Sequence, residues 1–341
     1  MHRRKFKAPS GAVIGFTDLG FGTAPIGNLF QPIDPEAAQK TLEAAWSLGI
    51  RYFDTAPLYG LGLAETRLNR FLHGRTRSDY VLSTKVGRLL ERCAPGQRTG
   101  IGKFFATPAR RERYDYSHDG IMRSVEFSLE RLGVDSIDVL FVHDIDIYNH
   151  RTAEVLDGHV KTLLASGCRA LEKLRDQKVI KAFGPGVNEW QVAERLARAA
   201  DFDIFLLAGR YTLLEQEALA SFLPLCEARG IGIVLGGPFN SGILATGPKP
   251  GARYDYAPAP RAIRARVARI EAVCRRHGVK LADAALRFPM HHPQVVSVIP
   301  GGVTPREVAR NVASLAARIP KEVWRALKAE GLLHPAAPVM P

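Results

Sequence analysis

Cysteine is scarce, tryptophan is scarcer, and long apolar runs are missing. Only four of 341 residues are cysteine: Cys93, Cys168, Cys226 and Cys274. They stand apart, with no CxxC pair and no metal-ligand spacing. That excludes a disulfide-stapled scaffold or a zinc module, and fits reduced thiols in a cytoplasmic protein. No apolar run reaches the ~18 residues of a membrane span. The basic start, Met1-His2-Arg3-Arg4-Lys5, is not followed by an apolar segment, so no signal peptide is expected. The net charge of +13 raises the question of nucleic acid. The basic residues, however, are spread along the chain and accompanied by acidic ones on helices, so neither a nucleic-acid nor a membrane partner is expected. The densest group, seven Arg/Lys between Arg88 and Arg113, reads as a solvated insertion, or as a funnel that draws anionic ligands toward a site mouth. A content of 46% hydrophobic and 24% charged residues is ordinary for a globular protein.

What the chain does have is alternation. Strand-like runs at Leu19–Ile26, Arg51–Ala56, Tyr80–Lys85, Ile137–His143, Ala182–Val187, Phe202–Leu207, Gly230–Leu235 and Val295–Ile299 are separated by helical patterns. Asp34-Pro35 provides an N-cap and a first-turn proline for a helix to about Leu48. Leu63–Leu72 is amphipathic. Asp119 is read as the cap of a helix ending at Gly133, after a long loop to about His118. Thr152–Lys178 reads as largely helical with a break at Gly158 or Gly167, and Trp190–Ala200, Glu217–Arg229, Ala262–Arg276 and Leu281–Phe288 as further helices. Gly236 to Pro260 is loop-like, Thr304 opens the last barrel helix, and the tail from 335 to 341 reads as disordered. Eight such βα units without a linker predict one α/β domain over residues 1–341, a single (β/α)8 TIM barrel with its barrel at about 15–320. The runner-up is a doubly wound sheet. Its support, Gly20-Phe21-Gly22-Thr23-Ala24-Pro25, has proline where a dinucleotide fingerprint needs its third glycine. No acidic residue ends the next strand at the expected distance.

Four chemistry-bearing residues fall at or just past strand C-termini, where barrel enzymes place their sites. Asp54 ends the second strand and Tyr59 follows in a Gly-bounded loop. Lys85 ends the third strand and His143 the fourth. A phenol with a pKa of ~10 is a poor base at neutral pH. A nearby ammonium would favour the phenolate, a carboxylate would hold that ammonium, and an imidazole would polarise the substrate oxygen. An alternative constellation for a metal-dependent hydrolase or isomerase (His143, Asp144, Asp146, His291, His292) is weak. Adjacent residues such as His291 and His292 do not face one metal from one helix surface, and no metal is expected.

The phrases FDTAPLYG (53–60), STKVG (83–87) and the His of FVHD (141–144), with the eight βα units over about residues 15–320, resemble the aldo-keto reductases. The resemblance implies a nicotinamide-dependent oxidoreductase in which Tyr59 is the general acid/base, Lys85 and Asp54 tune it, and His143 orients the substrate oxygen. It implies cofactor contacts at Asn188, as the residue for the carboxamide, and at Gly22, Gly236, Pro238, Phe239, Gly301, Gly302, Arg306 and Asn311. Val187, Ala208 and Gly236 stand where relatives carry serine, glutamine and a stacking tyrosine, and Phe239 is the candidate to replace that stack. The junction Ile299–Glu307 opens a helix whose N-terminus suits a phosphate, with Thr304 and Glu307 matching a capping box. NADP-preferring relatives carry Lys-Ser and an Arg where Gly301, Gly302 and Glu307 stand. NAD is therefore the expected cofactor, with NADP as the alternative through Arg306. Substrate contacts are expected from Trp190, Tyr211, Asn240 and the Arg88–Tyr116 loop.

Within the family, FDTAPLYG, AGRYTLL (208–214) and GGPFNSGIL (236–244) are most similar to a branch that oxidises sugars at C1. This branch comprises aldose 1-dehydrogenases of the L-fucose, D-threo-aldose and L-galactose type, with a pyridoxal 4-dehydrogenase beside them. The expected reaction is oxidation of a hemiacetal to a lactone. The alternatives are pyridoxal oxidation, general aldehyde or ketone reduction, and a nucleotide-binding regulatory role like that of potassium-channel β subunits. An oligomer through a helix such as Arg261–Arg276 is possible on this reading.

Overall fold

A computed structural model describes residues 1–100 and 103–339. The chain opens with an antiparallel hairpin, β1 (Arg3–Lys7) and β2 (Val13–Thr17). The sequence reading began the fold at Leu19 and missed it. Phe6, Ile14 and Phe16 of the hairpin pack with Tyr52, Val81, Val139, Ala182, Ile204, Val234 and Val296. These are the inward positions of the barrel strands, so the hairpin plugs the N-terminal end of the barrel.

The eight barrel strands follow the expected order: β3 (Phe21–Gly22), β4 (Tyr52–Asp54), β5 (Val81–Val86), then β8 (Ile137–His143), β9 (Ile180–Val187), β10 (Ile204–Ala208), β11 (Gly232–Gly236) and β14 (Val295–Ile299). All pair in parallel, and bridges of Leu19 to Val298 and Gly22 to Gly301 join the last strand to the first. Alternate residues separate two cores. Phe53, Leu82, Leu140, Phe183, Phe205 and Leu235 face the helices, while their neighbours fill the interior. That is why the strands read as nearly continuous apolar runs.

Three insertions decorate this frame. The long loop after β5 is in fact an antiparallel pair, β6 (Arg88–Arg92) and β7 (Arg110–Tyr114). The Gly/Pro-rich segment after β11 holds a helical turn at Ile243–Thr246 and a small hairpin, β12 (Arg253–Tyr254) and β13 (Ala257–Pro258). The helix read from Thr152 is split into Ala153–Thr162 and Cys168–Asp176 by a π turn at Leu163–Gly167. A Cβ on Gly167 would lie 2.3 Å from the Tyr116 carbonyl, so the chain bulges where that backbone crosses it.

Caps largely follow the sequence. The Asp34 and Thr304 side chains accept from Ala37 N and Glu307 N. Glu307 reaches back to Val303 N. Ser117, not Asp119, caps the helix His118–Leu132, and Gly133 closes it in the left-handed conformation. The tail expected to be disordered from 335 is packed over 335–339, with Ala337 buried and Val339 against the core. Met340 and Pro341 lie outside the described residues. All four cysteines are free thiols. Among the described residues no helix is long and apolar enough to cross a membrane.

Candidate active site

Asp54, Tyr59, Lys85 and His143 converge at the C-terminal rim of the barrel. In-register pairing of β4 with β5 sets Asp54 beside Ser83, and β5 with β8 sets Lys85 beside Phe141, two residues before His143. Lys85 Nζ donates to Asp54 Oδ2 at 2.7 Å and to the Thr55 carbonyl at 2.8 Å. Ser83 Oγ donates to Asp54 Oδ1 at 2.7 Å and lies 2.9 Å from the Tyr52 hydroxyl. The lysine is therefore held by fixed acceptors in a dry interior. Burial pushes the Asp54 carboxyl above its ordinary range, against the pull of Lys85.

The phenol of Tyr59 sits differently from the sequence expectation. Lys85 Nζ stands over the ring face, 4.8 Å from its centroid, and its charge is offset by Asp54. Burial above all, with Asp54 and Asp144 adding to it and Arg88 opposing, holds the phenol well above its usual pKa. In the resting chain Tyr59 is thus a proton donor, and the expected lowering by lysine is corrected. His143 packs edge-on to Tyr59, ring centroids 6.0 Å apart at 86°. Burial, then Arg88, Lys85 and Lys103, hold its pKa well below 6.5. The imidazole is neutral, so the 3.4 Å approach of Nε2 to Asp144 Oδ2 is not an ion pair. Tyr116 steadies it from behind, its hydroxyl donating to the His143 carbonyl at 2.8 Å while also meeting His150 Nε2 at 3.0 Å.

A cavity of about 80 Å³ opens over these groups, walled by Leu29, Leu58, Phe104, Tyr148, Tyr256, Lys103, Asp144, Asn188 and Ala208. The basic insertion is no solvated flap. Arg88 is 4% exposed and bridges Glu112 and Asp144, both at 2.6 Å, while Lys103 and Phe104 reach the cavity mouth. Sequence reasoning missed Arg88, Lys103, Phe104, Tyr148 and Tyr256 as individual site residues. Asp144 entered only as a metal ligand, and among the described residues no cluster could hold a metal ion.

The remaining expected contacts divide. Asn188 lines the cavity, its Nδ2 donating to Asp144 Oδ1 and Asp146 Oδ2, each at 2.9 Å. Its carbonyl oxygen Oδ1 still has acceptor capacity. A second, wider groove of about 860 Å³ is lined by Phe239, Gly301, Glu307, Arg310, Asn311, Glu271, Arg275 and Lys280. A Cβ on Gly301 would fall 2.5 Å from Pro25 Cγ, and one on Gly22 3.0 Å from the Ile299 carbonyl. Both glycines are thus needed for the close approach of the first and last strands. Gly236 and Gly302 are buried at the same rim and Pro238 is buried in the loop after β11, whereas Arg306 is exposed and lies outside the groove.

The three substrate candidates named individually lie just outside the Tyr59 cavity, and Asn240 lines an adjoining pocket with Tyr148, Asn188, Ala208 and Tyr256. Trp190 packs against the core at a helix start. Tyr211 is fully buried against Phe288 and His292. Asn240 ties two loops, accepting from Thr212 Oγ1 at 2.7 Å and donating to the Gly209 carbonyl at 3.0 Å. None of the three lines the Tyr59 cavity.

Residues 18–330 match the family described as "Aldo/keto reductase family". The chain is 43% identical over 330 residues to a pyridoxal 4-dehydrogenase of Microbacterium luteolum, covering 93% of this chain and 94% of that one. It is 41% identical over 332 residues to a D-threo-aldose 1-dehydrogenase of a Pseudomonas species, covering 96% and 98%. An aldo-keto reductase of Bacillus halodurans, solved in its holo form, shares the fold with a TM-score of 0.75 at 24% identity, covering 99% and 98%. With one barrel spanning the match, and the strand-end phrases that first suggested it gathered round one cavity, the chain belongs to the aldo/keto reductase family.

Proposed function

We propose that this protein is a nicotinamide-dependent dehydrogenase that oxidises the C1 hemiacetal of an aldose to a lactone, acting in the cytoplasm. The observation that carries this reading is the joint placement of a protonatable phenol and a neutral imidazole on one small cavity whose wall carries polar groups. The groove beside that cavity fits a dinucleotide. It encloses about 860 Å³, it runs along the helix Pro305–Ala316 from Glu307 to Ser314, and a side chain at Gly301 would meet Pro25. Phe239, Gly301 and Asn311 would hold it, with the free amide oxygen of Asn188 near its reactive end. When bound, the nicotinamide takes up the hydride from the substrate carbon.

The chain's own groups manage the proton. The substrate hydroxyl binds between Tyr59 and His143, and the neutral imidazole donates one hydrogen bond to its oxygen. The phenolate form of Tyr59 accepts the hydroxyl proton as the carbon is oxidised. Asp54 keeps Lys85 fixed over the ring, so no charged group has to move.

NAD is the preferred cofactor on this reading. Glu307 lies in the groove, where a carboxylate opposes a 2′-phosphate, and Arg306 is not among its lining residues; the cations that line it, Arg275, Lys280 and Arg310, are the contacts an NADP preference would use. Reduced-nucleotide formation with NAD+ and NADP+ would be followed for L-fucose, D-arabinose, L-galactose, D-galactose, L-rhamnose and pyridoxal. Turnover of an aldose with NAD+ is expected. Turnover of pyridoxal alone would replace the sugar reading, and a higher kcat/KM with NADP+ would overturn the cofactor assignment. Pyridoxal oxidation stands as the second reading because a relative of that name is 43% identical and pyridoxal also forms an internal hemiacetal.

A further inference from the structure

The wall of the Tyr59 cavity carries a carboxylate that the proton transfer does not use. Asp144 follows His143 with φ at +54°, a left-handed conformation that few side-chained residues adopt. The carboxylate lies in the cavity wall beside the imidazole, Oδ2 3.4 Å from His143 Nε2. An ion pair with Arg88 Nη2, 2.6 Å from Oδ2, and a hydrogen bond from Asn188 Nδ2, 2.9 Å from Oδ1, hold it there. Arg88 is itself buried and shared with Glu112 and Asn149. Taken alone, neither feature stabilises the fold. A left-handed backbone suits only a few residue types, aspartate among them, and a buried ion pair loses hydration that its attraction barely replaces. Their joint effect is to fix one anion in the substrate cavity.

An ionised carboxylate only accepts hydrogen bonds, and its two oxygens offer about four lone-pair positions. One position on each oxygen is taken by Asn188 or Arg88, so acceptor capacity remains on both. The ligand it meets must bring O–H or N–H donors. Phe104, Tyr148 and Tyr256 supply apolar ring faces on the other walls. Ring faces for C–H groups with a fixed acceptor for hydroxyls suit a sugar. Asp144 Oδ2 lies 3.4 Å from His143 Nε2; with the reacting oxygen bound at that nitrogen, the hydroxyl Asp144 meets is on the carbon next to the reacting one.

We propose that Asp144, oriented by Arg88 and Asn188, is a specificity-determining residue that accepts the 2-hydroxyl of an aldose. It thereby selects polyhydroxylated substrates over an aromatic hemiacetal, whose neighbouring ring carbon bears no hydroxyl. This rests on the hemiacetal-oxidising reading above. The test compares kcat/KM for the best aldose of the panel and for its 2-deoxy counterpart, in wild type, Asp144→Asn and Asp144→Gly. Asparagine and glycine both tolerate the left-handed backbone, so either variant can keep the turn, and thermal melting checks folding. Wild type is expected to favour the 2-hydroxy sugar by about 10- to 100-fold, the range of a charge-assisted hydrogen bond. In both variants that ratio falls toward unity, while turnover of the 2-deoxy sugar persists.

A ratio that survives in the variants overturns the proposal. So does a wild type indifferent to the 2-hydroxyl, or a folded variant that loses both sugars alike, which would place Asp144 in support of His143 instead. A wild type that oxidises no aldose refutes the underlying reading first, and is distinguishable because it needs no variant.

Discussion

Lys85 directs its hydrogen bonds to Asp54 and the Thr55 carbonyl, and the burial of the phenol beside it governs how the site responds to pH. Burial, with Asp54 and Asp144 adding to it, holds the Tyr59 phenol above the usual phenol value, and His143 stays neutral because burial and three cations hold its pKa well below 6.5. On the proposed reaction, oxidation needs the deprotonated phenol. Its kcat/KM is therefore expected to rise as pH increases above neutrality, with no limb from His143 between about pH 6 and 8, the range of an unperturbed imidazole. Reduction, which uses the protonated phenol, should stay level over that range and fall only as pH approaches the raised phenol value. A bell-shaped oxidation profile centred near neutral pH would contradict this assignment. Replacing Tyr59 by Phe is expected to lower kcat by about 10²- to 10⁴-fold, the usual contribution of a positioned acid/base, with nucleotide affinity kept. Replacing Asp54 by Ala leaves the Lys85 ammonium buried without its partner. It should cost about 3–5 kcal/mol of stability, read by denaturant unfolding. The four residue types were legible in the sequence because each ends or follows a strand. The direction of the Tyr59 shift was not, since it depends on how completely the surrounding loops bury the phenol and which carboxylates they bring beside it.

The strand ends depend on the turns behind them. Gly87 leaves β5 with φ at +94°, and a Cβ there would lie 2.4 Å from Tyr116 Cε1. Tyr116 in turn donates to the His143 carbonyl. Gly87→Ala is therefore expected to cost about 1–3 kcal/mol through overpacking and the left-handed backbone, and to lower kcat by shifting His143. Unfolding midpoints and single-turnover rates would check the two effects separately. Unaltered stability would show that Tyr116 can move aside freely. The strands and most helices were readable because their periodicity and caps are local. The π turn at Leu163–Gly167 was marked in sequence only by an ambiguous glycine, because its cause, the Tyr116 backbone, is nearly fifty residues away in the chain. The pairing of β6 with β7 was hidden by charge. Arg88, Arg92, Arg110, Arg111 and Arg113 read as a solvated basic run, yet Arg88 turns inward to Asp144 and Glu112.

Across the whole molecule, the barrel is sealed at its N-terminal end by the β1–β2 hairpin and open at the rim that carries the site. Phe16 is fully buried between Phe6 and Tyr52. Phe16→Ala is expected to destabilise by about 3–5 kcal/mol, as for other buried aromatics, with little change in KM because the plug lies at the opposite end of the barrel from Tyr59. A matching loss of substrate affinity would show that the two ends are coupled. The sequence by itself determined the fold class, the order of the strands and the identity of Asp54, Tyr59, Lys85 and His143. Each of these follows from local periodicity and from position along one strand. Tertiary structure alone decided which neighbours surround them. It placed Arg88 on Asp144, set Lys103 and Tyr256 on the cavity wall, and packed Trp190 and Tyr211 against the core. These outcomes depend on where separate loops meet above the barrel, which is set by contacts between segments far apart in the chain and leaves no periodic signal within any one of them.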